Sequence, residues 1–146
     1  MTEPRVLLEI PVEGNNFAAA GEAASRVKKT LQKLGVDSTL IRRVSIATYE
    51  AEMNIVIHAD YGKIVLQVDA KGVTVQAKDH GRGIPDLNKA MTVGFSTASE
   101  RVRAMGFGAG MGLPNIKKCT DQLEIETKVN VGTKVVMKFK YPSTTQ

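Results

Sequence analysis

Glu50 and Asn54 stand four residues apart in the run Glu50-Ala51-Glu52-Met53-Asn54-Ile55-Val56-Ile57-His58. On an α-helix that spacing is about 40° of rotation, so Glu50, Asn54 and His58 share one stripe and can face one cleft. A carboxylate and a carboxamide one turn apart suit a hard cation such as Mg²⁺, and the carboxylate could instead take the proton of an attacking hydroxyl. Taken alone, the stripe also fits a solvated polar face.

A second cluster is Asp79-His80-Gly81-Arg82-Gly83-Ile84-Pro85, placed directly after a strand-like run. A carboxylate at a strand end can accept a hydrogen bond from an exocyclic amine, and glycines let backbone lie against a flat ring, so adenine fits. The competing reading is a tight turn. The third cluster, Gly106-Phe107-Gly108-Ala109-Gly110-Met111-Gly112-Leu113, precedes a helical stretch. Free backbone N–H groups converging on a helix N-terminus favour phosphates. The run matches neither the Walker A pattern nor a dinucleotide fingerprint, so its meaning lies in its combination with the other two.

The elements that must position these clusters read clearly in places. Arg5 to Val12 is a first strand, and Phe17 to Leu34 has helical apolar spacing with Gly35 as its stop. Asp37 or Ser38 can cap a second helix reaching about His58. Lys63 to Ala70 and Val73 to Lys78 form a hairpin across Ala70-Lys71-Gly72. A short helix is expected over Asp86 to Met91, a long loop over Thr92 to Ala109, and a helix from Met111 to about Thr120. Gln122 to Val129 and Thr133 to Tyr141 close the chain as strands around Asn130-Val131-Gly132. Hairpin-linked strands with intervening helices predict a single domain over 1–146, an α/β two-layer sandwich with helices on one face of a mixed, mostly antiparallel sheet.

Bulk properties narrow the function classes. The 42% apolar content suffices for one core, and aromatic content is only 5% with no Trp, so Val, Ile, Leu, Met and Ala must fill it. The single cysteine, Cys119, cannot form an internal disulfide, and no signal-like start or membrane-length apolar run is present, which points to the cytoplasm and away from a membrane. The net charge of +5 is dispersed and not interleaved with stacking aromatics, arguing against a direct nucleic-acid surface.

The ordered set ExxxN, DxGxG, GxGxG and the late pair Gly132-Thr133 resembles the Bergerat-fold (GHKL) ATPases, which include type II gyrases, heat-shock chaperone ATPases, sensor histidine kinases and MutL proteins. Within that superfamily, Glu50 to Ala59, Gly94-Phe95-Ser96-Thr97 and Gly110-Met111-Gly112-Leu113-Pro114 are similar to segments of the bacterial anti-sigma-factor serine kinases and stress switch kinases. The resemblance implies ATP and Mg²⁺ as cofactors. Glu50 is then the general base, Asn54 the Mg²⁺ ligand and Asp79 the adenine reader. Gly81 and Gly83 shape the adenine floor, Gly108, Gly110 and Gly112 bind phosphates, Thr133 supports the adenine edge, and Ile84, Gly106, Met111 and Leu113 are further cofactor-binding positions. Arg101 or Arg103 of the lid would reach the γ-phosphate, with Arg103 taken as the catalytic one. His58 is expected to be structural.

The implied function is phosphoryl transfer from Mg·ATP to Ser or Thr of a small anti-sigma-antagonist-like protein, with a sigma factor as a further partner and room for a homodimer. The competing class is a nucleotide-gated binding module that sequesters its partner without transfer. A histidine-kinase catalytic domain would need a phosphoacceptor His on a helix pair, whereas His58 and His80 lie inside the nucleotide motifs. Gyrase-like or mismatch-repair activity would need transducer domains that 146 residues do not hold.

Overall fold

The computed structural model describes residues 4–84, 86–91 and 112–142. Within them the strands are β1 (Arg5–Glu13), β2 (Ala59–Val68), β3 (Gly72–Gly81), β4 (Gln122–Lys128) and β5 (Gly132–Lys140). The helices are α1 (Glu22–Lys33), α2 (Ser38–His58), α3 (Leu87–Ala90) and α4 (Gly112–Cys119), with a short 3-10 turn at Phe17–Ala19.

The five strands form one sheet in the order β1-β2-β3-β5-β4. All four pairings are antiparallel, which narrows the expected mixed sheet to a purely antiparallel one among the described residues. Strand alternation sends Ile64 and Leu66 of β2, Val73 and Val75 of β3, and Val135, Met137 and Phe139 of β5 into the core. Helix α2 lies over β1, β2, β3 and β5, flanked by α1 and α4, and its residues Leu40, Val44, Ala47, Ala51 and Ile55 fill the same core. The result is the two-layer arrangement expected, with none of the described helices on the other sheet face.

Local chemistry sets the ends of these elements. Asp37 accepts a 3.1 Å hydrogen bond from Leu40 N–H and starts α2 where the sequence suggested. Asp69 Oδ1 accepts from the N–H groups of Lys71 (2.7 Å) and Gly72 (3.0 Å), closing the β2–β3 hairpin.

The largest differences from the sequence reading are at two boundaries, beside the extension of β3 from Lys78 to Gly81. The first helix does not run from Phe17. Ala20 is extended and Gly21 has φ 99°, so the α-helix begins only at Glu22. The cause lies on α2: the buried Glu52 carboxylate accepts hydrogen bonds from the N–H groups of Gly21 (3.0 Å), Ala23 (3.1 Å) and Ala24 (3.0 Å). A carboxylate on these free N–H groups satisfies the helix start and favours its dipole. The second difference is β2, which starts at Ala59, directly after α2, rather than at Lys63. Asn15 N–H donates to the Val56 carbonyl (2.7 Å) and Gly14 N–H to Asp60 O (2.9 Å), so the end of β1 secures this helix-to-strand junction.

Candidate nucleotide and phosphoryl-transfer site

Helices α2 and α4 run antiparallel, and contacts at successive levels define one wall of the site. Nearest the start of α4, Gly112 lies against Asn54, and a Cβ there would stand 3.2 Å from Asn54 Oδ1. Next along, Asn115 Nδ2 donates a 2.7 Å hydrogen bond to Glu50 Oε2. Farther still, Arg43 Nε donates to the Cys119 carbonyl at 3.0 Å, and its Nη2 pairs with Asp121 at 3.2 Å. The Glu50 and Asn54 ends of the stripe therefore face α4, as a shared cleft requires, and the Arg43–Asp121 pair anchors the far end. Leu113 and Ile116 are buried beneath the helix, so the N-terminus of α4 is fixed by packing.

His58, the third member of the stripe, is occupied differently. Its Nδ1 lies 3.3 Å from Arg82 Nη2, and since the guanidinium can only donate, Nδ1 is the acceptor. Burial, and then the Arg82 charge, lowers the His58 pKa below its ordinary value. The imidazole thus joins the end of α2 to the segment after β3, the structural role expected of it.

Asp79 lies near the end of β3, on the strand's helix-facing side. Its Oδ1 accepts a 3.2 Å hydrogen bond from Thr133 N–H of β5, and no other hydrogen bond reaches its carboxylate among the described residues. Burial pushes its pKa up, opposed by the Thr133 N–H and by His80. The remaining oxygen is an acceptor with no protein donor among the described residues, the kind of group an exocyclic amine would satisfy.

Beside Asp79, Thr133 Oγ1 is 2.9 Å from Thr127 Oγ1, which accepts a 2.8 Å hydrogen bond from Ile84 N–H. Asn130 N–H donates to Arg82 O at 2.8 Å. These bonds tie the segment Gly81 to Ile84 to the β4–β5 turn. Gly83 has φ 73°, and a Cβ there would overlap the Lys128 carbonyl, so this position requires glycine on two counts. Gly81 packs against the end of α2, where an added Cβ would stand 2.9 Å from His58 O.

The structure brings Glu50, Asn54, Gly112 and Leu113 together at the α2–α4 wall, and Asp79, Gly81, Gly83, Ile84 and Thr133 at the adjoining ends of β3 and β5. Arg101, Arg103, Gly106, Gly108, Gly110 and Met111 lie outside the described residues, as does the expected loop from Thr92 to Ala109. Two site residues escaped the sequence reading. Asn115 is the polar exception among Leu113, Pro114 and Ile116, all buried. Thr127 continues the inward alternation of Leu123 and Ile125 on β4, a polar side chain where an apolar one is the rule.

The donor set fits Mg²⁺ held jointly by protein and phosphate. Asn54 offers an amide oxygen against the N-terminus of α4, whereas no group of three or more His, Cys, Asp or Glu among the described residues could hold a metal alone. Mg²⁺ commonly binds through one or two protein oxygens, with phosphates and water completing its shell.

A two-layer fold with a helix-borne Glu and Asn, a strand-end Asp and a glycine-flanked helix N-terminus defines a nucleotide-binding domain of the Bergerat type. Residues 15–139 match the family model described as the histidine kinase-like ATPase domain, and the chain belongs to that family. More specifically, it is 32% identical over 124 residues to the serine/threonine-protein kinase RsbT of Bacillus subtilis, covering 82% of this chain and 85% of RsbT. It is 29% identical over 140 residues to the anti-sigma F factor of Clostridium novyi, covering 90% of this chain and 89% of that one. Among solved structures, the RsbU and RsbW domains of a Mycobacterium tuberculosis protein superpose with a TM-score of 0.64 at 17% identity, over 96% of this chain and 32% of that chain. That last likeness concerns the fold. The sequence relatives place the chain among the anti-sigma and switch-kinase proteins. No described helix is long and apolar enough to cross a membrane.

Proposed function

We propose that this protein transfers the γ-phosphoryl group of ATP to a serine or threonine of a small anti-sigma-antagonist-like partner, and that Glu50 accepts the proton of the attacking hydroxyl. The observation that carries this reading is the Glu50 carboxylate on the α2–α4 wall, one helical turn from Asn54, with Oε2 held by Asn115 and Oε1 left without a protein donor among the described residues. A pure nucleotide binder has no need of a positioned base there. Phosphoryl transfer depends mainly on alignment and charge neutralisation, which a compact site of this kind can supply.

In this reading Asp79 takes the adenine amine, Thr133 and Thr127 hold Asp79 and the Gly81 to Ile84 segment in place, and Gly112 leaves room for phosphate at the start of α4. Gly106, Gly108, Gly110 and Met111 complete the phosphate loop and Arg103 neutralises γ-phosphate charge, both by resemblance. Asn54 holds Mg²⁺, which would draw charge from the phosphates when bound. The site works in the cytoplasm on a protein substrate.

The test is incubation with γ-labelled ATP and the proteins encoded beside it. Label on a partner's Ser or Thr is expected; nucleotide binding with no labelled protein would overturn the kinase reading. A second reading, sequestration of a sigma factor, is favoured by the relatives named anti-sigma F factors. It predicts a nucleotide-dependent complex with a sigma factor in gel filtration.

A further inference from the structure

The seam between α2 and α4 extends past the Glu50–Asn115 bond in both directions, with the Asn54–Gly112 contact on one side and the Arg43–Cys119 bond on the other. Ile46 stands four residues before Glu50 and so shares its stripe, and Tyr49 lies about 60° from Ile46 around the helix. Both are exposed, at 38% and 39%, on the side of α2 away from its core residues Val44, Ala51 and Ile55. Arg42, one turn before Ile46, is exposed as well, and so is Lys118, three residues after Asn115 on α4.

The charges at this end of the seam are unequal. Arg42 and Lys118 make no ion pair among the described residues. The acids nearby are engaged: Asp121 pairs with Arg43 at 3.2 Å and accepts from Lys140 N–H at 2.7 Å, and Asp37 caps α2. Glu22 bounds the patch on the α1 side, since the Tyr49 ring lies 3.6 Å from where a Cβ on Gly21 would stand, and Glu22 follows Gly21. Toward α4, then, the surface around Ile46 is apolar with a cationic rim.

We propose that this end of the seam seats the acceptor segment of the protein substrate, with an apolar residue beside the acceptor Ser or Thr resting on Ile46 and Tyr49 and carboxylates facing Arg42 and Lys118. The inference rests on the phosphoryl-transfer reading and gives that reaction its docking groove. In the transfer the hydroxyl oxygen bonds to the γ-phosphorus as the bond to the β–γ bridging oxygen breaks, ADP leaves, and the hydroxyl proton passes to Glu50 Oε1. Attacking and leaving oxygens stand roughly in line. With the phosphates at the Asn54 and Gly112 end, the hydroxyl arrives from the other side of Glu50, where Ile46 and Arg42 lie. A nucleic acid on the same patch would bring phosphodiesters against the Glu50 carboxylate.

The test uses the full chain with ADP present and three probes: a peptide with one serine between leucines flanked by glutamates, the same peptide flanked by lysines, and a single-stranded DNA oligonucleotide. Binding is read from backbone amide shifts and so does not depend on transfer. The glutamate peptide is expected to shift residues 42–50 and 115–119 and to bind about tenfold more tightly than the lysine peptide. Arg42→Glu combined with Lys118→Glu should reverse that preference, and Ile46→Ser should weaken both peptides, with ATP affinity unchanged. Shifts confined to other residues, a preference that survives the charge reversal, tighter binding of the oligonucleotide, or no binding at millimolar peptide would each overturn the proposal. Transfer from γ-labelled ATP is scored separately: binding at the seam with no label on the peptide or on any neighbouring gene's product would contradict phosphoryl transfer and not the docking.

Discussion

Asn115 Nδ2 and Glu50 Oε2 meet at 2.7 Å across the α2–α4 interface, so the orientation of the carboxylate on one helix is set by an amide on the next. The bond uses one oxygen and leaves the other to a substrate hydroxyl. Replacing Asn115 by Ala removes this constraint. We expect kcat for phosphoryl transfer to fall about tenfold with little change in KM for ATP, since alignment rather than binding is lost. Asn115→Asp would set a second carboxylate against Glu50 in place of the amide donor and should lower kcat at least as far. Undiminished kcat in both variants would show that the bond does not act on the base.

Asp79 presents a conflict between stability and function. Its raised pKa means that the native state binds the proton more tightly than the unfolded chain. That contribution to stability is present below the ordinary carboxylate pKa and is lost as pH rises through the native value. At neutral pH the buried charge is therefore a cost, and Asp79→Asn, whose amide oxygen can still accept from Thr133 N–H, should melt higher than wild type, the difference vanishing in acid. The same substitution should weaken ATP binding roughly 10- to 100-fold, because a hydrogen bond to a charged acceptor is lost. Calorimetry and thermal melts across pH check both halves.

His58 runs the other way. Its pKa is lowered, first by burial and then by Arg82, so the stability it contributes is present above the unfolded value and is lost as pH falls through the native one. Melting temperature should drop between pH 7 and pH 5, and His58→Gln should flatten that part of the curve. A profile identical to wild type would remove His58 as its source.

Glu52 is 2% exposed and carries the start of α1 through three backbone N–H groups. Glu52→Ala strands those donors, and we expect a loss of about 3 kcal/mol in urea unfolding. Glu52→Gln keeps one acceptor oxygen and should lose less.

These residues also show what the sequence made legible. The Asp37 cap, the extent of α2 and the turn after Lys128 follow from local periodicity and capping chemistry, and the structure has them where expected. The break at Gly21 was hidden because its cause, Glu52, lies 31 residues away on another helix. The Glu50–Asn115 bond spans 65 residues, and the Thr133–Asp79 bond 54. The pairing of β3 with β5 was equally hidden, since no local pattern specifies it. Residue type marked where chemistry could occur; non-local packing decided which groups hold which.

The central claim is that Glu50 is a base and not only part of a binding wall. It is tested most directly by single-turnover transfer from γ-labelled ATP with Glu50→Gln, whose amide preserves size while abolishing basicity. The account predicts ATP affinity within about threefold of wild type and a rate of partner phosphorylation reduced roughly 10²- to 10⁴-fold. Transfer at the wild-type rate by Glu50→Gln would contradict it.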